Sequence, residues 1–295
     1  MMNSRLQGLG VALVTPFLEN GEVDYDALVR LVDHVSDGGV DYLVVLGTTG
    51  ETPTLENKEK NLIFETVKKA NKKNLPIVLG MGGNATDKLI RQIKAADLDG
   101  VDAILSVAPY YNRPSQQGLY EHYKAVAEAA PCDVILYNVP GRTGVNLLPD
   151  TAIRLANECK NIIAIKEASG KIEQFDELLA KRPEGFMVIS GDDGMALEVI
   201  KHGGDGLISV AANAFPEQYA QMITKQFDKE YDTTQQLWEK VAAVTKLLFE
   251  EGNPTGIKAA LAAKGICNNK LRLPLVPSSD SLYERIRELI LRENL

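Results

Sequence analysis

The chain has 295 residues, 45% of them hydrophobic and 24% charged, with a formal net charge of −8. That composition supplies the core of one large α/β domain, with or without an appendage. The negative balance argues against nucleic acid or an anionic membrane as a partner, so a site for an anionic substrate must build its own local positive potential.

Residues 1–10 carry no secretory signal, and no stretch approaches the roughly 20 apolar residues of a membrane span. Strand-like runs then recur: "GVALVTPF" (10–17), "YLVVLGTTG" (42–50), "PIVLGMGG" (76–83), "DAILSVAP" (102–109), "DVILYNVP" (133–140), "IIAIKEAS" (162–169), "FMVISGDD" (186–193) and "DGLISVAA" (205–212). Amphipathic stretches such as "DALVRLVDHV", "LIFETVKKAN" and "LIRQIKAADL" separate them. The runs are short and apolar on both faces, as buried parallel strands are. Eight such units predict a (β/α)8 TIM barrel over residues 1–224; an open doubly wound sheet fits less well, because no GxGxxG follows the first strand. From Phe215 onward only helical patterns remain, so residues 225–295 are expected to form a C-terminal helical region.

Cys132, Cys159 and Cys267 lie far apart, which predicts reduced thiols in a cytosolic protein. His34, His122 and His202 have no metal-ligand spacing with each other or with the cysteines, so no metal site is expected.

Barrel active sites gather where strands end and βα loops begin. The polar residues there are Thr15, Thr48, Thr49, Tyr110, Tyr111, Tyr137, Asn138, Lys166, Glu167, Asp192 and Asp193. Lys166 is the informative one. Alternation along a strand places Ile162, Ala164, Lys166 and Ala168 on one face, and the alanines leave room for a long side chain and a bound molecule. An ammonium in such surroundings is poorly solvated, which favours the neutral amine that attacks ketones. The alternative is a barrel lysine paired with Glu167 or with an aspartate of "GDD".

"GTTGE" (47–51) can hold a carboxylate with backbone N–H groups and hydroxyls, or can simply cap a helix. Tyr137 can move a proton to a carbonyl oxygen or merely pack, and Arg142 in "GRTG" can clamp a carboxylate or sit solvated in its loop. "GMGGNAT" (80–86) looks like a phosphate cradle but lacks the Lys-Ser/Thr of a P-loop.

Taken together, "GTTGE", "APYYNRPSQQGLYEHY", "ILYNVPGRTG", "IKEASG", "SGDD" and "ISVAAN" resemble the 4-hydroxy-tetrahydrodipicolinate (dihydrodipicolinate) synthase family, within the class I Schiff-base pyruvate aldolases that include N-acetylneuraminate lyase. The resemblance runs in order from about Gly8 to the C-terminal helices. It implies a lyase of diaminopimelate–lysine biosynthesis that condenses pyruvate with L-aspartate 4-semialdehyde and uses no cofactor beyond the lysine–pyruvate imine. It implies that Lys166 forms the imine, that Tyr137 relays protons with Thr48 and Tyr111, and that Thr49 and Ile208, with Gly191 beside them, bind pyruvate. Arg142 receives the carboxylate of the second substrate, although Gly141 stands where serine or alanine is usual. The family takes the Tyr111 equivalent from a neighbouring subunit, implying a homotetramer built as a dimer of dimers. Its lysine-sensitive members hold the inhibitor near the positions of Asn84 and Tyr110. Here Asn57 and Lys60 replace histidines, and Lys88 replaces a glutamate, so feedback by lysine is expected to be weak or absent. The alternative within the superfamily is a pyruvate lyase of the N-acetylneuraminate lyase type acting on a sugar acid, against which Arg142 decides. The alternative of a different class is a non-catalytic binding barrel, which predicts loss of the set Lys166, Tyr137, Thr48 and Tyr111, all present here.

Overall fold

A computed structural model describes residues 4–295. All eight expected strands form: β1 (Gly8–Ala12), β2 (Tyr42–Val45), β3 (Ile77–Gly80), β4 (Ala103–Val107), β5 (Asp133–Asn138), β6 (Ile162–Glu167), β7 (Met187–Ser190) and β8 (Gly206–Ser209). They run in chain order around a closed barrel, and β1 with β2 and each successive pair from β3 to β8 are parallel. The fold is therefore a (β/α)8 barrel with C-terminal helices. By contact density the described residues divide into two compact units, 4–7 with 76–208 and 8–75 with 209–295. The expected boundary after residue 224 falls inside the helix Pro216–Phe227.

In the first unit, β4 to β7 carry helices on their outer face. Ile104, Val134, Leu136, Ile165 and Val188 pack there against Leu89 and Ile93, Leu119 and Tyr123, Leu155, and Phe175 and Leu178. Each such aliphatic side chain contributes about 1.5–3 kcal/mol on burial. Helix starts follow from local chemistry: Ser115 accepts the Gly118 N–H at 3.2 Å to open the helix Gln116–Ala129.

Alternation along β6 is broken once. Val134 pairs with Ile162 but Ile135 pairs with Ala164, so Ile163 is left without a partner on β5. Such an irregularity turns the preceding side chain to the other face. Ile162 accordingly packs in the outer cluster with Ile165 instead of sharing the face of Ala164 and Lys166. This corrects the strict alternation read from the sequence.

In the second unit, Asp24 accepts the Ala27 N–H at 2.9 Å to cap the helix Tyr25–Asp37, and Glu56 with Glu59 forms a capping box at the start of Asn57–Ala70. The C-terminal helices Tyr231–Leu248, Thr255–Ala263 and Asp280–Glu293 bury Val241, Val244 and Leu248, then Ile257 and Leu261, then Leu282, Ile286 and Ile290. That three- and four-residue spacing is one apolar stripe per helix. Among the described residues no helix is long and apolar enough to cross a membrane. The three cysteines are unpaired thiols.

Candidate active site

The first unit brings Lys166, Tyr137 and Gly191 together at adjacent strand ends. Lys166 pairs in register with Tyr137 on β5 and with Ile189 on β7. The residue is only 5% exposed, and its ammonium stands 4.4 Å from the centre of the Tyr137 ring. A ring face at that distance attracts a cation without neutralising it. No carboxylate forms an ion pair with Lys166 among the described residues, so the paired-lysine alternative fails.

Glu167, the neighbour that could have supplied the partner, points to the other face. Its carboxylate accepts from Asn138 Nδ2 and Gln174 Nε2, both at 2.8 Å, and from the Ser169 N–H at 2.6 Å. Asn138 also donates to Asn146 Oδ1 at 2.7 Å and accepts the Leu147 N–H at 2.9 Å. Asn146 in turn donates to Gln174 Oε1 at 2.9 Å. This buried network joins the ends of β5 and β6 to the loop that follows Arg142. Burial raises the Glu167 carboxyl above its ordinary value, against the pull of these donors.

Gly191 explains how Lys166 fits. A Cβ at Gly191 would lie 2.8 Å from Lys166 Cε and 2.9 Å from Ala168 Cβ, both too close. The glycine of "SGDD" is therefore a space for the lysine stem. Ile208 is fully buried in β8. Gly82 of "GMGG" has a similar packing reason: a Cβ there would meet Val107 Cγ1 at 2.6 Å. The phosphate-cradle likeness is a close approach of backbone to β4.

Arg142 lies exposed in the short helix Pro140–Thr143. Open space surrounds Gly141, so an added Cβ would touch nothing within 4 Å. Tyr111 is 88% exposed with φ +73°, and its N–H reaches the Thr143 C=O at 3.4 Å. A bulky residue in the left-handed region, with its ring in solvent, is costly unless something else uses it. Beside it, Asn84 Nδ2 donates to the Tyr110 C=O at 3.1 Å.

Thr48 and Thr49 belong to the second unit. Thr48–Gly50 is a single 3-10 turn after β2, and no threonine hydroxyl caps it. Thr49 is buried and accepts from Asn253 Nδ2 at 3.0 Å. Thr15 Oγ1 donates to the Gly50 C=O at 2.7 Å, and Asn213 ties β1 by donating to Ala12 C=O at 2.8 Å. The next residue, Glu51, pairs with fully buried Lys258. Neither Lys258 nor Asn253 was singled out from the sequence. The available signal was the one that revealed Lys166, a lone cation in an apolar run, here "GIKAALA" (256–262).

The sequence profile of the Dihydrodipicolinate synthetase family matches residues 5–293. The chain belongs to that family. It is 49% identical over 290 residues to the 4-hydroxy-tetrahydrodipicolinate synthase of Parabacteroides distasonis, covering 98% of each chain. To the enzyme of the same name from Thermotoga neapolitana it is 44% identical over 292 residues, again covering 98% of each. The crystal structure of dihydrodipicolinate synthase from Thermotoga maritima superposes with a TM-score of 0.94 at 40% identity, covering 98% of both chains. Family membership bears out the resemblance read from the motifs and sets aside the non-catalytic barrel.

Proposed function

We propose that this chain is a 4-hydroxy-tetrahydrodipicolinate synthase, condensing pyruvate with L-aspartate 4-semialdehyde in the diaminopimelate route to lysine. The observation that carries the reading is Lys166: buried at the end of β6, facing Tyr137, with no carboxylate partner among the described residues.

Neutral Lys166 attacks the pyruvate ketone, and loss of water gives a protonated imine. That imine is an electron sink, so the methyl group loses a proton and becomes an enamine. The enamine carbon attacks the semialdehyde aldehyde, whose oxygen takes up a proton. The substrate amine then attacks the imine carbon and expels Lys166, closing the ring. Tyr137 moves the protons, with Thr48 and Tyr111 as its relay and Tyr111 supplied by a neighbouring subunit of a homotetramer. Thr49, Ile208 and Gly191 line the pyruvate position, and Arg142 takes the carboxylate of the second substrate. No cofactor enters the scheme, because the lysine itself supplies the sink. Cysteine thiols left free fit a cytosolic enzyme. Arg142 favours the semialdehyde over a sugar acid, since sugar-acid relatives usually lack that arginine.

The test is borohydride trapping. Wild type with pyruvate should gain a reduced adduct on the peptide holding Lys166, Lys166→Ala should gain none, and turnover should appear with aspartate semialdehyde but not with N-acetylneuraminate. An adduct on another lysine would falsify the assignment.

A further inference from the structure

Directly after the Thr48–Gly50 turn, the second unit holds an ion pair entirely out of water. The side chains of Glu51 and Lys258 are both 0% exposed, with Lys258 Nζ 2.5 Å from Glu51 Oε1. The ammonium also donates to the Lys270 C=O at 2.8 Å and stands 4.2 Å from the Phe17 ring centre. The second carboxylate oxygen accepts the Arg272 N–H at 3.0 Å. Burial pulls the Lys258 ammonium below the ordinary lysine value, and Glu51 opposes that pull.

A buried pair of this kind is weak evidence for stability, because apolar residues of the same volume often serve as well. Its place in the chain offers a better reason. Leu46 (φ +58°) and Glu51 (φ +52°) bracket the turn, and both are non-glycine residues in the left-handed region. Such conformations persist where the surroundings over-determine them. At Glu51 the surroundings are the Lys258 ammonium on one carboxylate oxygen and the Arg272 N–H on the other. Thr15 and Asn253 hold the turn from the Gly50 carbonyl and the Thr49 hydroxyl.

We infer that the Glu51–Lys258 pair is a positioning device: it locks the left-handed corner at Glu51 and so fixes the Thr48–Gly50 turn in the conformation that receives the substrate carboxylate. The ligand in this inference rests on the function proposed above; the brace itself does not. Neither residue is a catalytic group, since each acts through the turn. The C-terminal helices thereby set the shape of a loop some two hundred residues earlier in the chain.

Two readouts test it. Lys258→Met alone strands a buried carboxylate and is expected to destabilise the fold. The informative variant is Glu51→Gln/Lys258→Met, which removes both charges and keeps both volumes. Amide hydrogen exchange at Gly50 and Glu51 should accelerate in it. The pyruvate concentration that half-saturates borohydride trapping should rise about tenfold or more, the scale of a weakened charge-assisted contact. Saturating pyruvate should still label Lys166, and the Michaelis constant for the semialdehyde should hold. Glu51→Gln alone, which keeps the bond to Lys270, should show the same two changes at smaller amplitude and serves if the double variant does not fold. Exchange at the wild-type rate overturns the brace, and faster exchange with unchanged half-saturation overturns its role in binding. If wild type forms no adduct, the keto-acid reading fails instead, and the exchange rates alone judge the brace.

Discussion

The stem of Lys166 occupies space that only a glycine at position 191 leaves open. Gly191→Ala would push Cε or the end of β7 aside by several tenths of an ångström. Attack by an amine depends on its approach to the carbonyl, and a misplacement of about 1 Å costs on the order of 100-fold. We therefore expect Gly191→Ala to slow pyruvate-dependent borohydride inactivation by up to about two orders of magnitude. Gly141→Ala is the control. Its Cβ meets open space, so the rate should match wild type. Equal rates in both variants would show that Lys166 has a second route to the ketone.

At the scale of elements, the β5–β6 clamp is polar where a barrel of this class could have been apolar. Asn138 and Gln174 both donate to Glu167, so one carboxylate holds the ends of two strands and the helix Ile172–Lys181. Burial raises the Glu167 carboxyl in the folded state. The folded protein then binds more proton than the unfolded chain between the ordinary value of 4.5 and the raised one. The contribution of this group is complete below the unfolded value and is lost as pH rises through the folded one. Relative to Glu167→Gln, which does not titrate, wild type should lose stability as pH climbs from about 4 through that window. Urea denaturation of both proteins across pH 4–7 reads the difference directly. A difference that grows in favour of wild type with rising pH would mean that the hydrogen bonds outweigh burial.

For the whole molecule, Tyr111 poses the question of assembly. Its exposed ring and left-handed backbone fit the proposal that it completes a neighbour's site. Mixing Tyr111→Phe with Lys166→Ala subunits should then restore activity that neither variant has alone. No recovery, once exchange of subunits is shown by mass spectrometry, would place Tyr111 in its own site. Regulation is decided on the same scale. We propose, from the family resemblance, that exposed Lys88 takes the place of a glutamate that holds the inhibitor's ammonium in lysine-sensitive members, which reverses the sign of that contact. A unit-charge pair near 4 Å is worth about 1 kcal/mol in water and about 4 at an intermediate dielectric. Initial rates should be flat in millimolar L-lysine, and Lys88→Glu should create or sharpen inhibition; sub-millimolar inhibition of wild type would reject this account.

What the sequence determined by itself was what local pattern controls. Eight short runs apolar on both faces specify buried parallel strands, and helices between them leave little choice but closure. Lys166 was legible for the same reason, since one charge in "IIAIKEASG" breaks a pattern that burial otherwise dictates. Tertiary structure decided the rest. The slip at Ile163 depends on how β6 meets β5, so strict alternation misplaced Ile162. Glu167 could be read as a partner of Lys166 until its face was known, and Gly191 until a lysine stem was seen against it. The pairing of Glu51 with Lys258 crosses 207 positions of chain. No window of sequence contains both residues, and a carboxylate and an ammonium choose each other only after folding has removed water from around them.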